Sequence, residues 1–153
     1  MSESGYGHGS GVPRGFSAIK AAQLAAFLLI TIGRPVTRNT LLLMLYLSER
    51  AFAERHGHLI VHDEYLALET GPTPARCSAG VAGDADRDLW SVHVAWRADL
   101  MGPRRSMSEA QLDHLSVAER TAALEAISRL SGLESVARVI AAQWAWSHLP
   151  EYR

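Results

Sequence analysis

The stretch Glu64-Tyr-Leu-Ala-Leu-Glu-Thr-Gly-Pro-Thr-Pro74 follows a long apolar helical pattern and the short apolar run Leu59-Ile60-Val61. Gly71 tolerates backbone dihedrals that other residues avoid, while Pro72 fixes its own φ and keeps the preceding residue out of the helical region. Pro74 suits the first turn of a helix, where no amide hydrogen is needed. The stretch therefore predicts an extended segment that turns sharply into a helix.

Capping residues predict helices on both sides of this stretch. Ser17 can cap a first helix that ends at Gly33, and Thr37 can cap a second that ends at Gly57. The tetrapeptide Ser116-Val-Ala-Glu119 has the form of a capping box. The predicted helices are Ala18 to Ile32, Arg38 to His56, Pro74 to Val81, Ser116 to about Leu130, and about Leu133 to Ser147.

One segment has the alternation of a half-buried strand. Between Leu89 and Arg97, apolar Trp90, Val92, Val94 and Trp96 alternate with smaller or polar residues. The segment from Met101 to Leu115 is predicted to be a long connection. We therefore expect a mainly α fold, a compact single-domain helical bundle with a minor β element around Leu89–Arg97.

Length and composition agree with one domain. The chain has 153 residues, enough for a single core, and its Gly- and Ser-rich start predicts an unstructured tail over 1–16 before a domain over 17–153. A formal net charge of -1 gives no general attraction to nucleic acid or anionic lipid. The lone Cys77 fits a reducing compartment, and the apolar run Ala18 to Ile32 is too short to span a bilayer. We expect a cytoplasmic protein.

The second predicted helix is unusually apolar. From Leu41 it reads Leu-Leu-Leu-Met-Leu-Tyr-Leu47, which is apolar on every face. A helix of this kind is normally buried on all sides, so it is expected to be the central helix of the bundle. The alternative is that part of its surface, comprising Leu42, Leu43 and Met44, is covered by another protein.

The order of these segments resembles the Panacea domain, a family of bacterial and phage-encoded antitoxins. The resemblance covers about Ala18 to Tyr152 and uses the leucine-rich helix, the glycine-proline turn and the chain end Ser147-His-Leu-Pro-Glu-Tyr152. The residues that match the family's motifs, with a structural role expected for each, are Leu41, Tyr46, Gly71, Pro72, Pro74, His148 and Pro150.

The resemblance implies a helical domain that neutralises a co-encoded toxin by direct binding, as the antitoxin of a type II system. It implies no catalytic residue, cofactor or metal, and its setting includes phage defence. One alternative is an adaptor that delivers its toxin to a protease. Self-association into a homo-oligomer is left open.

An enzyme was weighed against this interpretation. His56, His58, His62 and Asp63 include suitable zinc ligands, but His56 and His58 straddle the helix-ending Gly57 without a partner at helical spacing. We interpret the cluster as structural, and Cys77 as a buried hydrophobe or a surface thiol. Trp144 and Trp146 stand two apart on a helix, so one is expected in the core and the other is expected to be exposed or covered by the chain end.

A DNA-binding autorepressor is the remaining class. The second helix could serve as a recognition helix after Thr37, but its exposed arginines are few and its middle is apolar. The sequence therefore favours a protein-binding domain over an enzyme or a DNA-binding protein.

Overall fold

The computed structural model describes residues 15–68, 71–105, 107–131, 135–148 and 150. These residues form a mainly α domain with a minor β component, which confirms the predicted fold class. The helices are α1 (Ala18–Ile32), α2 (Arg38–His56), α3 (Ala75–Ala82), α4 (Arg87–His93), α5 (Val117–Ser131) and α6 (Val136–His148). The strands are β1 (Val36–Thr37), β2 (Tyr65–Leu68), β3 (Gly71–Pro74), β4 (Val94–Arg97) and β5 (Leu100–Pro103), and Glu109–Gln111 forms one 3-10 turn. In this part of the chain, no helix combines the length and the apolar character needed to cross a bilayer.

Helix α1 lies at the centre of the fold. Every residue from Ala21 to Leu29 is buried, so this helix is enclosed on all sides. Its ends agree with the prediction, because the Ser17 hydroxyl accepts the Lys20 amide and Gly33 adopts the left-handed conformation with φ 71°. Four of the nine buried positions are alanine, which lets neighbouring elements approach the helix axis closely.

Helix α2 is not the central helix, which corrects the expectation drawn from its leucine run. Its buried residues form one stripe at spacings of three and four, and the opposite face is open to solvent. The predicted caps are correct, since Thr37 accepts the amide of Thr40 and Gly57 is left-handed with φ 76°. The stripe consists of Leu41, Met44, Leu45, Ser48, Glu49, Ala51 and Phe52.

The predicted strand over Leu89–Arg97 is only half correct. Strand β4 begins at Val94, while the preceding residues form helix α4. Trp90 is buried, but Val92 is 57% exposed, which breaks the alternation that suggested a strand. The buried residues Trp90, His93 and Val94 instead recur at spacings of three and four, the period of a helix.

Two small antiparallel sheets complete the fold. One has the strand order β1-β5-β4, with Val36 and Trp96 both opposite Met101. Its strand β5 overlaps the start of the Met101 to Leu115 segment, which we expected to be only a connection, so that part of the prediction was wrong. The rest of that segment is tied to α1 by buried Gln23, whose Oε1 accepts the His114 amide at 2.8 Å.

The second sheet is the hairpin of β2 and β3, in which Tyr65 pairs with Pro74 and Leu68 with Gly71. The sharp turn into a helix that was predicted at Gly71 and Pro72 is therefore incorrect, because both residues belong to a strand. The chain enters α3 only after Pro74, which occupies the N-cap position. The two residues that join the strands, 69 and 70, lie outside the described residues.

Helix α5 begins with the predicted capping box. The Ser116 hydroxyl accepts the Glu119 amide at 3.1 Å, and the Glu119 carboxylate accepts the Ser116 amide at 2.8 Å. The same carboxylate binds Lys20 Nζ at 2.6 Å. The only lysine of the chain thus joins the first turn of α1 to the first turn of α5.

Helices α3 and α4 meet at a close contact between Gly80 and Trp90. A Cβ atom built on Gly80 would lie 2.2 Å from both Cε2 and Nε1 of the buried indole.

We expect Gly80→Ala to destabilise the protein by about 2 kcal/mol or more, because overpacking a rigid core costs roughly 1–3 kcal/mol. Urea unfolding followed by circular dichroism measures this change. Exposed Ala82→Ser is the control, expected within about 0.5 kcal/mol of wild type. Equal stability of the Gly80 variant and wild type would contradict this packing.

Candidate functional site

Helix α6 is apolar around its whole circumference, yet none of its described side chains is buried. Nine of its thirteen residues, Val-Ala-Arg-Val-Ile-Ala-Ala-Gln-Trp-Ala-Trp-Ser-His, are apolar. A helix with this composition is usually enclosed by other elements, as α1 is here. The contrast between the two helices shows that the described residues leave much of the apolar surface of α6 uncovered.

The inner side of α6 is attached to the three-stranded sheet through Trp146. The guanidinium of Arg97 lies over the indole ring, 4.6 Å from its centroid, and Arg97 Nη1 donates to the Trp146 carbonyl. Gly102 lies against the same indole, where an added Cβ would be 2.8 Å from Cζ2. Helix α6 therefore packs on strands β4 and β5 through Trp146.

The outer side of α6 presents an apolar stripe to solvent. Ile140, Trp144 and His148 stand four residues apart and so share one face. Ile140 is 60% exposed and Trp144 is 63% exposed. The indole of Trp144 and the imidazole of His148 stack with centroids 4.1 Å apart and planes 13° apart, which restrains both rings. We call these three residues the outer stripe. The prediction for the two tryptophans is only partly correct: they do lie on different faces and Trp144 is exposed, but Trp146 is partly buried on the sheet and does not belong to the core.

Two grooves lie beside α6 and share Arg34 and Pro35. Helix α6 contributes Arg138 and Ala142 to the first groove and Trp146 to the second. The first has a volume of about 210 Å³ and contains a second guanidinium, Arg138, with the hydroxyl-bearing residues Thr37, Thr40 and Ser135. The second has a volume of about 400 Å³ and adds Arg104 and Arg105 beside an apolar floor. That floor includes Leu29, Ile30, Pro103, Met107 and Trp146. The Arg104 guanidinium also donates to the carbonyls of Ser91 and Val94, at 3.0 and 3.2 Å. Among the described residues that line either groove, none is acidic.

The three predicted partner-binding residues, Leu42, Leu43 and Met44, differ in their exposure to solvent. Met44 is fully buried, so it belongs to the core and cannot meet a partner, which corrects its assignment. Leu42 is partly buried against the core, whereas Leu43 is 39% exposed. Of the three residues, Leu43 alone offers substantial apolar surface.

The residues assigned to the family motif lie in three regions. Leu41 is fully buried, and Tyr46 forms an edge contact with Tyr65 at 5.6 Å between centroids. Gly71, Pro72 and Pro74 form β3, while His148 and Pro150 lie at the exposed end of the described chain. These residues do not converge on one site. Tyr46 contacts the ring of Tyr65, Pro74 pairs with Tyr65 in the hairpin, and His148 belongs to the outer stripe.

Glu49 on α2 places a carboxylate in the interior of the protein. Its Oε1 accepts the amides of Ile60 and Val61 at 2.6 and 3.2 Å, and its Oε2 lies 3.5 Å from the Tyr65 hydroxyl. Burial raises the pKa of Glu49 above its ordinary value, and the two amide bonds oppose that shift only in part. The group holds the chain against α2 just before the hairpin.

Asp63 performs a similar role for α3. Its Oδ1 accepts the Arg76 amide and its Oδ2 accepts the Cys77 amide, each at 2.8 Å. Pro74 supplies no side-chain cap, so Asp63 satisfies the first turn of α3 from across the hairpin. Burial and the nearby Asp63 carboxylate raise the pKa of the Cys77 thiol well above its ordinary value. Cys77 is therefore an enclosed thiol whose surroundings favour its neutral form.

The histidines near the end of α2 engage aromatic neighbours. The ring of Phe52 lies 4.4 Å from His56 and 5.1 Å from His58, and His58 lies parallel to His62 at 6.5 Å. Within the described residues, no three histidine, cysteine or acidic side chains are grouped as metal ligands. The carboxylate of Asp63 is directed to backbone amides and is not shared with the imidazoles.

Comparison with known protein families, with curated proteins and with solved structures gave no match to this chain. The resemblance to the Panacea domain therefore remains a prediction based on the motifs. The outer stripe was not identified from the sequence: one of the two tryptophans was expected to be exposed and His148 was assigned a structural role, but they were not grouped with Ile140 as one surface. Its composition, with four polar residues in thirteen, was the signal that could have identified it.

The buried carboxylate of Glu49 predicts a pH dependence. Because the folded state raises its pKa above 4.5, the folded state retains this proton more strongly than the unfolded state does. Stability from this group is thus present below the ordinary pKa and is lost as pH rises through the raised value. We expect the stability of Glu49→Gln relative to wild type to increase as pH rises from about 4.5 and then to level off.

Urea midpoints measured between about pH 4 and pH 8 test this expectation. Exposed Glu54→Gln on the same helix is the control, and its difference from wild type should not follow this curve. Glu49→Ala should be less stable than Glu49→Gln by about 2 kcal/mol or more, because it leaves two buried amides unpaired. A relative stability that does not change with pH would show that the environment of Glu49 does not perturb its ionisation.

Proposed function

We propose that this protein is an antitoxin that binds and neutralises a protein toxin encoded beside it. Two lines of reasoning support the proposal. The segment order and motifs resemble the Panacea domain over most of the chain, and α6 carries an apolar outer face that the rest of the described domain leaves open. The second observation carries the proposal, because neutralisation by direct binding requires such a surface. The proposed setting is the bacterial cytoplasm.

The outer stripe has the properties of a binding anchor. Interfaces derive most of their energy from a few aromatic, apolar or arginine side chains that become fully buried on binding. Trp144 is the largest exposed apolar side chain of the described residues, and its stacking on His148 reduces the rotamer entropy lost on binding. Ile140 extends the same apolar surface by one helical turn.

Charge substitution on the stripe tests the proposal without disturbing the core. We expect Ile140→Glu and Trp144→Glu to remain folded and to lose the complex, with affinity reduced at least about thirtyfold for a loss of about 2 kcal/mol. The measurements are co-purification with the product of the neighbouring gene and rescue of growth when that product is expressed. Circular dichroism and thermal unfolding establish that each variant is folded.

Val117→Glu is the matched control, because Val117 is also an exposed apolar helical residue but lies on α5. It should retain both binding and rescue. Leu43→Glu tests the other predicted surface, and loss of binding there alone would move the interface from α6 to α2. If the wild-type chain neither rescues growth nor co-purifies with the neighbouring product, the antitoxin proposal is wrong.

A further inference from the structure

We propose that the two grooves beside α6 together bind an acidic segment of the partner polypeptide that also carries apolar side chains. We call the combined surface the arginine channel, defined by Arg34, Arg104, Arg105 and Arg138. The inference names the chemistry of the partner and in that sense rests on the proposed function. Its own test uses a peptide and needs no toxin.

Charge is concentrated in the channel. The chain as a whole has 15 basic and 16 acidic residues, so a chance sample of its surface would contain both signs. The linings of the two grooves instead contain four arginines and, among the described residues, no aspartate or glutamate. A concave surface with one sign of charge attracts ligands of the opposite sign.

The side chains of the channel favour carboxylates in particular. Guanidinium groups form paired hydrogen bonds with carboxylate oxygens and remain charged at any physiological pH. Arg104 already donates to two backbone carbonyls and contributes mainly its charge, so the paired bonds are assigned to the exposed Arg105 and Arg138. Thr37, Thr40 and Ser135 place hydroxyl groups beside Arg138 in the first groove. This end of the channel therefore suits an acidic side chain.

The other end of the channel favours apolar groups. Leu29, Ile30 and Met107 line the second groove beside Arg104 and Arg105. A segment that carries both carboxylates and aliphatic side chains would satisfy the two ends together. An extended peptide presents its side chains alternately, which allows acidic groups to meet the arginines while apolar groups meet the floor.

A polypeptide fits this surface better than nucleic acid does. Single-stranded nucleic acid is held by a basic track with open aromatic rings on which bases stack. In the channel, Trp146 has the Arg97 guanidinium over its ring, and Trp144, which is stacked on His148, belongs to the outer stripe. The formal net charge of -1 also gives no long-range attraction to phosphates.

The channel is continuous with the proposed interface. Ser135, Arg138, Ala142 and Trp146 line the grooves at spacings of three and four residues along α6. The outer stripe runs along another side of the same helix. One partner that covers α6 would thus meet apolar surface on the outer side and the arginine channel on the inner side.

The test uses the purified full chain and a fluorescein-labelled peptide of alternating glutamate and leucine. The peptide has about twelve residues and spans roughly 40 Å when extended. We expect fluorescence anisotropy to show binding that weakens between about 50 mM and about 500 mM NaCl. A peptide of alternating lysine and leucine has the same apolar content and should not bind.

The double variant Arg105→Glu, Arg138→Glu should weaken the acidic peptide about five- to tenfold, since both side chains are exposed and the change reverses two charges. Arg87→Glu is the matched control, an exposed arginine on α4 outside the channel, and should bind as wild type does. Thermal unfolding of both variants checks that the fold is retained.

Three results would overturn the inference: no binding of the acidic peptide, equal binding by the double variant and wild type, or tighter binding of a single-stranded oligonucleotide of similar length. Complete displacement of the peptide by inorganic phosphate at low millimolar concentration would show that the channel recognises only small anions. Because the assay contains no toxin, a protein that does not neutralise the product of the neighbouring gene can still bind the acidic peptide. Conversely, a protein that neutralises that product can show no binding of the acidic peptide, so the two proposals are tested separately.

Discussion

The enclosure of α1 on all sides is the constraint on which the rest of the fold depends. A helix buried from Ala21 to Leu29 needs neighbours around its whole circumference, and α2, α3, α4, α5 and strand β5 supply them. The polar groups at its edge are also engaged, because Lys20 binds Glu119 and Gln23 binds the segment before α5. The layer around α1 is thereby complete, and α6 is left to pack on the outside of the three-stranded sheet. The exposure of α6 follows from this arrangement.

The helix ends could be predicted because their causes are local. Ser17, Thr37 and the box of Ser116 with Glu119 each satisfy amides within three residues, and Gly33 and Gly57 adopt left-handed conformations that favour glycine. The region around Trp90 was misassigned because alternation in four apolar residues did not reveal which of them face the core. Burial of Trp90 against Gly80 depends on a contact between two helices, and no local pattern indicates that contact.

The same distinction applies to the candidate site. The leucine run of α2 indicated that something must cover it, but only the placement of α1 and α5 shows that Met44 is enclosed and Leu43 is not. The residues of the outer stripe of α6 are close together in the sequence, and their spacing of four could have predicted that they share one helical face. The arginine channel could not be predicted from the sequence, because Arg34, Arg104 and Arg138 are far apart in the chain. They are brought to neighbouring grooves by the pairing of β1 with β5 and by the packing of Trp146 on the sheet.

The capping of α3 by Asp63 has a consequence for how this part of the chain folds. A helix usually begins with a cap from an adjacent residue, but α3 begins after a proline and takes its acceptor from a residue on the far side of a hairpin. The cap of α3 is therefore complete only when the hairpin has brought Asp63 to Arg76 and Cys77. The hairpin and α3 form a single cooperative unit, and Glu49 ties that unit to α2 through Ile60 and Val61. Local opening of this region consequently releases strand, cap and helix together.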